Sequence, residues 1–262
     1  MPVPLSILDL APLVSGGTAG DALRRTIDLA QRAEAFGYAR YWVAEHHFTP
    51  GVASSQPALL LGQIAAHTSR IRLGPGAVQA GHQTPLTIVE QFGLLDALHP
   101  GRFDLGLGRS GQRRTSSSSP ASSPPASAAE PEPARTVDGL LIPAPFSFAP
   151  LLASARFALF ARLLQQPGAE SPDLPEVLAD IQALLAGPIT DDEGNQARAV
   201  PGLGADVEIW ILGSSGGLSA QWRGSAACRS RPTTTWPRPP CWRRSRPTGP
   251  RSSRPACWPS RR

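Results

Sequence analysis

Glu45-His46-His47-Phe48 places a carboxylate, two adjacent imidazoles and an aromatic ring directly after the short apolar run Tyr41-Trp42-Val43-Ala44. Two of the chain's 5 histidines therefore stand side by side. An ordinary imidazole, with a pKa near about 6.5, takes and returns protons around neutrality, and a neighbouring carboxylate can fix its tautomer. The plainer alternative is that these rings only hydrogen-bond a strand end. A second candidate is Gly213-Ser214-Ser215-Gly216-Gly217, a glycine-rich turn after an apolar strand. Its backbone N–H groups, its serine hydroxyls and the start of a following helix suit a phosphate. An ordinary strand-to-helix loop with serine as the cap would read the same way. The run is not G-x-G-x-x-G, so a dinucleotide fold is disfavoured. The three cysteines, Cys228, Cys241 and Cys257, match no metal-ligand spacing.

The elements that must position these groups follow from the hydrophobic pattern. Leu5–Leu10 reads as a buried strand, and Leu23, Ile27, Ala30, Ala33 and Phe36 mark one face of a helix closed by Gly37. A second strand over 40–44 leads into the Glu45 segment. A helix over 57–67 follows, with Leu60, Ile64 and Ala65 inward. The third strand, 71–79, is broken by Gly74-Pro75-Gly76, and a helix over 85–98 starts on proline. A fourth strand covers 103–109, ending in Arg109. Residues 137–148 are apolar but proline-punctuated, giving an extended loop or short hairpin. Helical segments at 153–164 and 175–185 and a fifth strand at 207–212 complete the pattern. Alternating strands and helices imply parallel strands joined by crossovers. The fold class expected is α/β of the (β/α)₈ TIM-barrel type, incomplete at about five strand–helix units, with candidate groups on the C-terminal rim.

Composition divides the chain. There is no lysine; all 25 basic residues are arginine. Residues 1–221 hold 14 arginines against 20 acidic residues, whereas 222–262 hold 11 arginines and no acid. The expected domains are a partial barrel over 1–221, with a Ser/Pro/Ala low-complexity insertion at 112–135, and a disordered Arg/Pro-rich tail over 222–262. The tail lacks every aliphatic residue that builds cores, and out-of-frame translation after Gln221 accounts for that composition. Nothing resembles a secretory signal, no apolar run reaches the roughly 20 residues of a membrane span, and a cytoplasmic location is the default expectation.

Taken together, EHHF after strand two, LGPGAV in strand three, HPGRFDLGLGR around strand four and LGSSGGLSAQ after strand five resemble the bacterial luciferase-like, flavin-dependent monooxygenase family. The resemblance covers roughly residues 3–111 and 136–221. It implies a barrel that uses reduced FMN and O₂ to oxidise a small organic substrate such as an aldehyde. Some relatives use a deazaflavin instead. It further implies His46 as the acid–base group beside the flavin, with His47 and Glu45 holding its ring. Gly76 and Ala77 would pass beneath the isoalloxazine, where the absence of a side chain permits close approach. Arg109 would face the FMN phosphate, with Gly213, Ser214 and Ser215 as further phosphate donors. Because no nicotinamide motif is present, a separate flavin reductase is the expected partner, with no membrane contact; a homodimer stays open. Two readings compete. One makes the chain an inactive, truncated remnant. The other has the arginines of the tail bind nucleic acid, with Trp222, Trp236, Trp242 and Trp258 stacking on bases.

Overall fold

The computed structural model describes residues 3–108, 134–143, 154–167, 169 and 174–212. The calls on Arg109, on Gly213, Ser214 and Ser215, on the 112–133 insertion and on the tail lie outside these residues.

The first strand, β1 (Ser6–Asp9), pairs in parallel with β2 (Arg40–Val43), and β2 pairs in parallel with β3 (Arg72–Pro75). At Gly76 and Ala77, joined by a cis peptide bond, the third strand breaks and resumes as β4 (Val78–Gln79). That second half pairs with β5 (Asp104–Gly108), and β5 pairs with β10 (Glu208–Leu212), again in parallel. A parallel bridge between Leu73 and Phe103 joins the two ladders. The described strands thus form an arc in the order β1, β2, β3/β4, β5, β10. Two small antiparallel hairpins stand apart from it: β6 (Arg135–Val137) with β7 (Leu140–Ile142), and β8 (Ile189–Thr190) with β9 (Gln196–Ala197).

Helices cover one face of the arc. In α1 (Ala19–Ala35), Thr18 and Asp21 form a reciprocal cap, and Ala22, Thr26, Ala30 and Ala33 face the sheet. The helix α2 (Pro57–His67) buries Leu60, Leu61, Ile64 and Ala65. Pro85 opens α3 (Pro85–Leu98), where its missing N–H has no helical partner to lose, and Ile88, Val89 and Phe92 are buried. Two further helices follow, α4 (Ala155–Leu164) and α5 (Leu174–Ala186); Val177, Leu178 and Ile181 of α5 join the same core. Opposite them, Tyr41, Val43, Leu73, Leu105 and Leu107 are the inward strand positions. Strand alternation sends every second residue the other way.

The other sheet face follows from that alternation. It carries Leu8, Trp42, Gly74, Gly106 and Trp210. At its N-terminal end the fully buried Asp104 carboxylate accepts from Arg40 Nε at 3.0 Å, Trp42 Nε1 at 2.9 Å and Arg72 Nε at 2.9 Å. Arg40 and Arg72 also pair with Glu208, and the Arg40 guanidinium lies 4.9 Å from the Trp210 ring centroid. This network sits at the starts of β2, β3, β5 and β10, the end of the arc remote from Glu45.

Two details differ from the sequence expectation. Phe36 lies past the end of α1 and is 77% exposed, so it is not part of the helix's inner face. Leu8 is 53% exposed, because among the described residues β1 has a neighbour only at β2, and Leu8 points away from the helices. No helix among the described residues is long and apolar enough to cross a membrane.

Candidate active site

The loop after β2 is pinned on both sides. Ala44 donates its N–H to the Asp9 carbonyl, His46 donates its N–H to the Ser54 carbonyl, and the Ser54 hydroxyl donates to the Ala44 carbonyl. Thr26 and Tyr41 hydroxyls both donate to Asp9 Oδ2 at 2.6 Å, tying β1, α1 and β2 together just below this loop. Burial, then the Asp9 carboxylate, pushes the Tyr41 phenol well above its ordinary pKa, so it stays a neutral donor.

Within that frame the Glu45 carboxylate is buried and fully engaged. Its Oε1 lies 2.9 Å from His47 Nε2, and its Oε2 accepts the Gln79 N–H at 3.0 Å. Gln79 replies through its side chain, donating Nε2–H to the Glu45 carbonyl at 2.6 Å. Gln79 Oε1 is then left to accept from His82 Nε2 at 3.0 Å. His82 closes a short 3₁₀ turn, Ala80–His82, directly after β4, and its ring stands edge-on to His47 with centroids 5.8 Å apart. Burial, reinforced by the nearby His47, pushes the His82 pKa below its ordinary value.

The structure therefore brings Glu45 to His47, whereas the expected role of Glu45 was to hold His46. His46 is exposed at the same rim, three residues beyond the end of β2. Phe48 takes a left-handed backbone conformation, φ +54°, uncommon for a bulky residue, and its ring stacks on Phe160 of α4. Gln165, just beyond α4, donates to the Gly81 carbonyl at 3.3 Å, so α4 touches both rim loops. At Gly76 a Cβ would meet Leu8 Cδ1 at 2.7 Å and Trp42 Cε3 at 3.3 Å. The lack of a side chain there seats the strand against Leu8 and Trp42.

Gln79 and His82 were not singled out from the sequence. The available signal was a histidine a few residues beyond an apolar strand and just before the proline that opens α3, a position that a parallel α/β fold delivers to the rim.

A family model for luciferase-like monooxygenases matches residues 4–130. Over that stretch the chain is similar to the luciferase-like monooxygenase family. Over 212 residues the chain is 39% identical to the uncharacterised protein YvbT of Bacillus subtilis, covering 81% of this chain and 50% of that one. It is also 34% identical over 213 residues to a luciferase-like monooxygenase of Escherichia coli K12, again covering 81% of this chain and 50% of the relative. The chain thus spans about half the length of these curated relatives. Among solved structures, apo-MsnO8 superposes with a TM-score of 0.57 at 30% identity, covering 87% of this chain and 52% of that one. The arc of parallel strands with helices on its outer face is accordingly part of a luciferase-like barrel.

Proposed function

We propose that this rim serves a flavin-dependent monooxygenase that uses reduced FMN and O₂ to oxidise a small organic substrate such as an aldehyde. The observation that carries the reading is the buried Glu45 carboxylate fixing His47 in the loop after β2, whose last residue, Val43, accepts the Gly76 N–H. The family match supports the same chemistry. The ring end of a flavin fits the residues described. A half-buried Gly76–Ala77 segment with no large side chain and a buried ring nitrogen without a partner on His82 suit a flat, polar-edged heterocycle. Arg109, Gly213, Ser214 and Ser215 are the proposed phosphate donors.

When bound, reduced FMN would supply the electrons that activate O₂. The chain's own contribution is proton handling and orientation. His46 is the proposed acid–base group, its ring exposed at the rim and its backbone held by Ser54. Glu45 and His47 brace the loop that carries it. A deazaflavin is the alternative cofactor, and a separate reductase would deliver reduced FMN.

The test is titration of the full chain with FMN, read by quenching of flavin fluorescence, followed by turnover with FMN, a reductase and an alkanal. His46→Ala should cut turnover at least about 100-fold while FMN affinity stays within a few-fold. Unchanged turnover would remove His46 from the mechanism. Failure of the wild type to bind FMN would overturn the reading.

A further inference from the structure

We infer that His82 is a ligand-binding residue of this rim, a neutral imidazole whose Nδ1 accepts a hydrogen bond from an N–H or O–H of the bound ligand.

The tautomer follows from a chain of donors and acceptors. The Glu45 carbonyl can only accept, so the Gln79 amide must present its Nε2–H there. The same amide then presents Oε1, which can only accept, to His82. His82 Nε2 must therefore carry the hydrogen, and in the neutral ring Nδ1 holds a bare lone pair. That Nδ1 atom is buried and has no hydrogen-bond partner. A buried acceptor without a partner is destabilising and is uncommon in folded proteins. Protonating it would not remove the difficulty, since it would set a buried cation beside His47 at 5.8 Å between ring centroids. Burial and that neighbour both favour the neutral ring.

Position makes the lone pair useful. His82 ends the 3₁₀ turn that follows β4, on the loop next to the one carrying His46 and His47. Gln79, the residue that fixes its tautomer, also anchors Glu45 through its N–H, so the two loops form one hydrogen-bonded unit. The donor has two candidate sources, a ring N–H of the flavin or a hydroxyl of the substrate. The inference rests on the proposed reading of this rim as the flavin site, and deepens it.

Two variants separate the nitrogens. Gln at position 82 can still donate to Gln79 from the Nε2 position but offers nothing at Nδ1. Asn at position 82 offers an acceptor near Nδ1 but cannot reach Gln79. The primary measurement is ¹⁵N NMR of histidine-labelled full chain, following the unprotonated His82 Nδ1 resonance. A shift on adding FMN assigns the donor to the flavin. A shift only when 1-hexanol is added to the FMN complex, and not with hexanal, assigns it to the substrate hydroxyl. For whichever ligand causes the shift, His82→Gln should weaken binding about tenfold, the loss of one hydrogen bond, and His82→Asn should stay within about threefold. Circular dichroism matching wild type confirms that both variants fold; where a variant fails this, the wild-type NMR titration alone decides. FMN binding with a stationary His82 resonance through all three additions overturns this inference and leaves the flavin reading intact. Equal shifts with 1-hexanol and hexanal, or wild-type affinity in His82→Gln, overturn it as well. Absence of FMN binding fails the flavin reading itself and this inference with it.

Discussion

Phe48 and Phe160 face each other with ring centroids 4.6 Å apart and planes 19° from parallel. Phe48 belongs to the loop that carries the paired histidines, and Phe160 to the middle of α4. The Arg156 guanidinium lies 5.1 Å from the Phe160 ring centroid, so the stack continues into a cation. This contact and the Gln165–Gly81 hydrogen bond link α4 to the rim loops.

Phe160→Ala should therefore loosen α4 more than the core. A stacked aromatic pair contributes about 0.5–1.5 kcal/mol beyond the area it buries. Amide hydrogen exchange across 155–164 is expected to speed up several-fold while exchange in β2 and β5 stays unchanged. Unaltered exchange in α4 would show that the stack does not hold the helix.

Removing the Asp104 carboxylate should be the most damaging single change at the opposite end of the sheet. It leaves Arg40 and Arg72 facing each other with only the half-exposed Glu208 as a counter-charge. Asp104→Ala is expected to cost about 3–5 kcal/mol in urea unfolding, as for other buried charges stripped of a partner. Asp104→Asn, which still accepts from Trp42, should cost less. A neutral Asp104→Ala would mean that water reaches the two guanidinium groups freely.

Glu34 gives a pH signature. Burial of its carboxylate favours the acid form, but the N–H groups of Ile71, Arg70 and Ser69 and the Ser69 hydroxyl outweigh it, and the pKa falls from 4.5 to about 2. A carboxyl depressed in the folded state contributes stability in full above its unfolded pKa and loses it as pH falls toward the folded one. The wild type should thus lose stability between pH 4.5 and about 2, and Glu34→Gln should be less stable at pH 7 with a flatter decline through that window. Parallel curves for the two proteins would remove Glu34 from the acid response.

Gly93→Ala tests the packing of α3. An added Cβ would strike the Pro201 carbonyl oxygen and the Gly202 backbone, neither of which is the end of a flexible side chain. Overpacking of this kind costs about 1–3 kcal/mol or more, whereas Gly51→Ala, with open space around the site, should be neutral. Equal melting temperatures for the two variants would show that the 201–202 loop yields.

Much of this architecture was legible in the pattern of apolar residues. The helices Pro57–His67 and Pro85–Leu98 begin and end where proline and polar residues place them, because proline at a first turn and a polar close are local signals. A break in the third strand was visible from its Gly-Pro-Gly run, but Gly74 and Pro75 stay within β3 and the break falls at Gly76 and Ala77. What escaped was long-range. The pairing of Glu45 with His47 depends on how a loop folds back, and Gln79 and His82 matter only because β4 ends next to β2's loop. Neither side chain carries a periodic or compositional mark. The β8–β9 hairpin escaped too, since two-residue strands leave almost no alternation to read.

The split third strand has a consequence for how the site comes into being. Its first half is in register with β2, Arg72 opposite Arg40, and its second half with β5, Gln79 opposite Gly108. Gln79 is thus a rung of one ladder and the clasp on Glu45 at the end of the other. A slip of the β4–β5 ladder by one residue would turn Gln79 to the opposite face and release its hold on Glu45 and His82. The imidazole cluster acts as a built-in proof of register: it can assemble only on a correctly aligned sheet, and its spectroscopic signature reports that alignment.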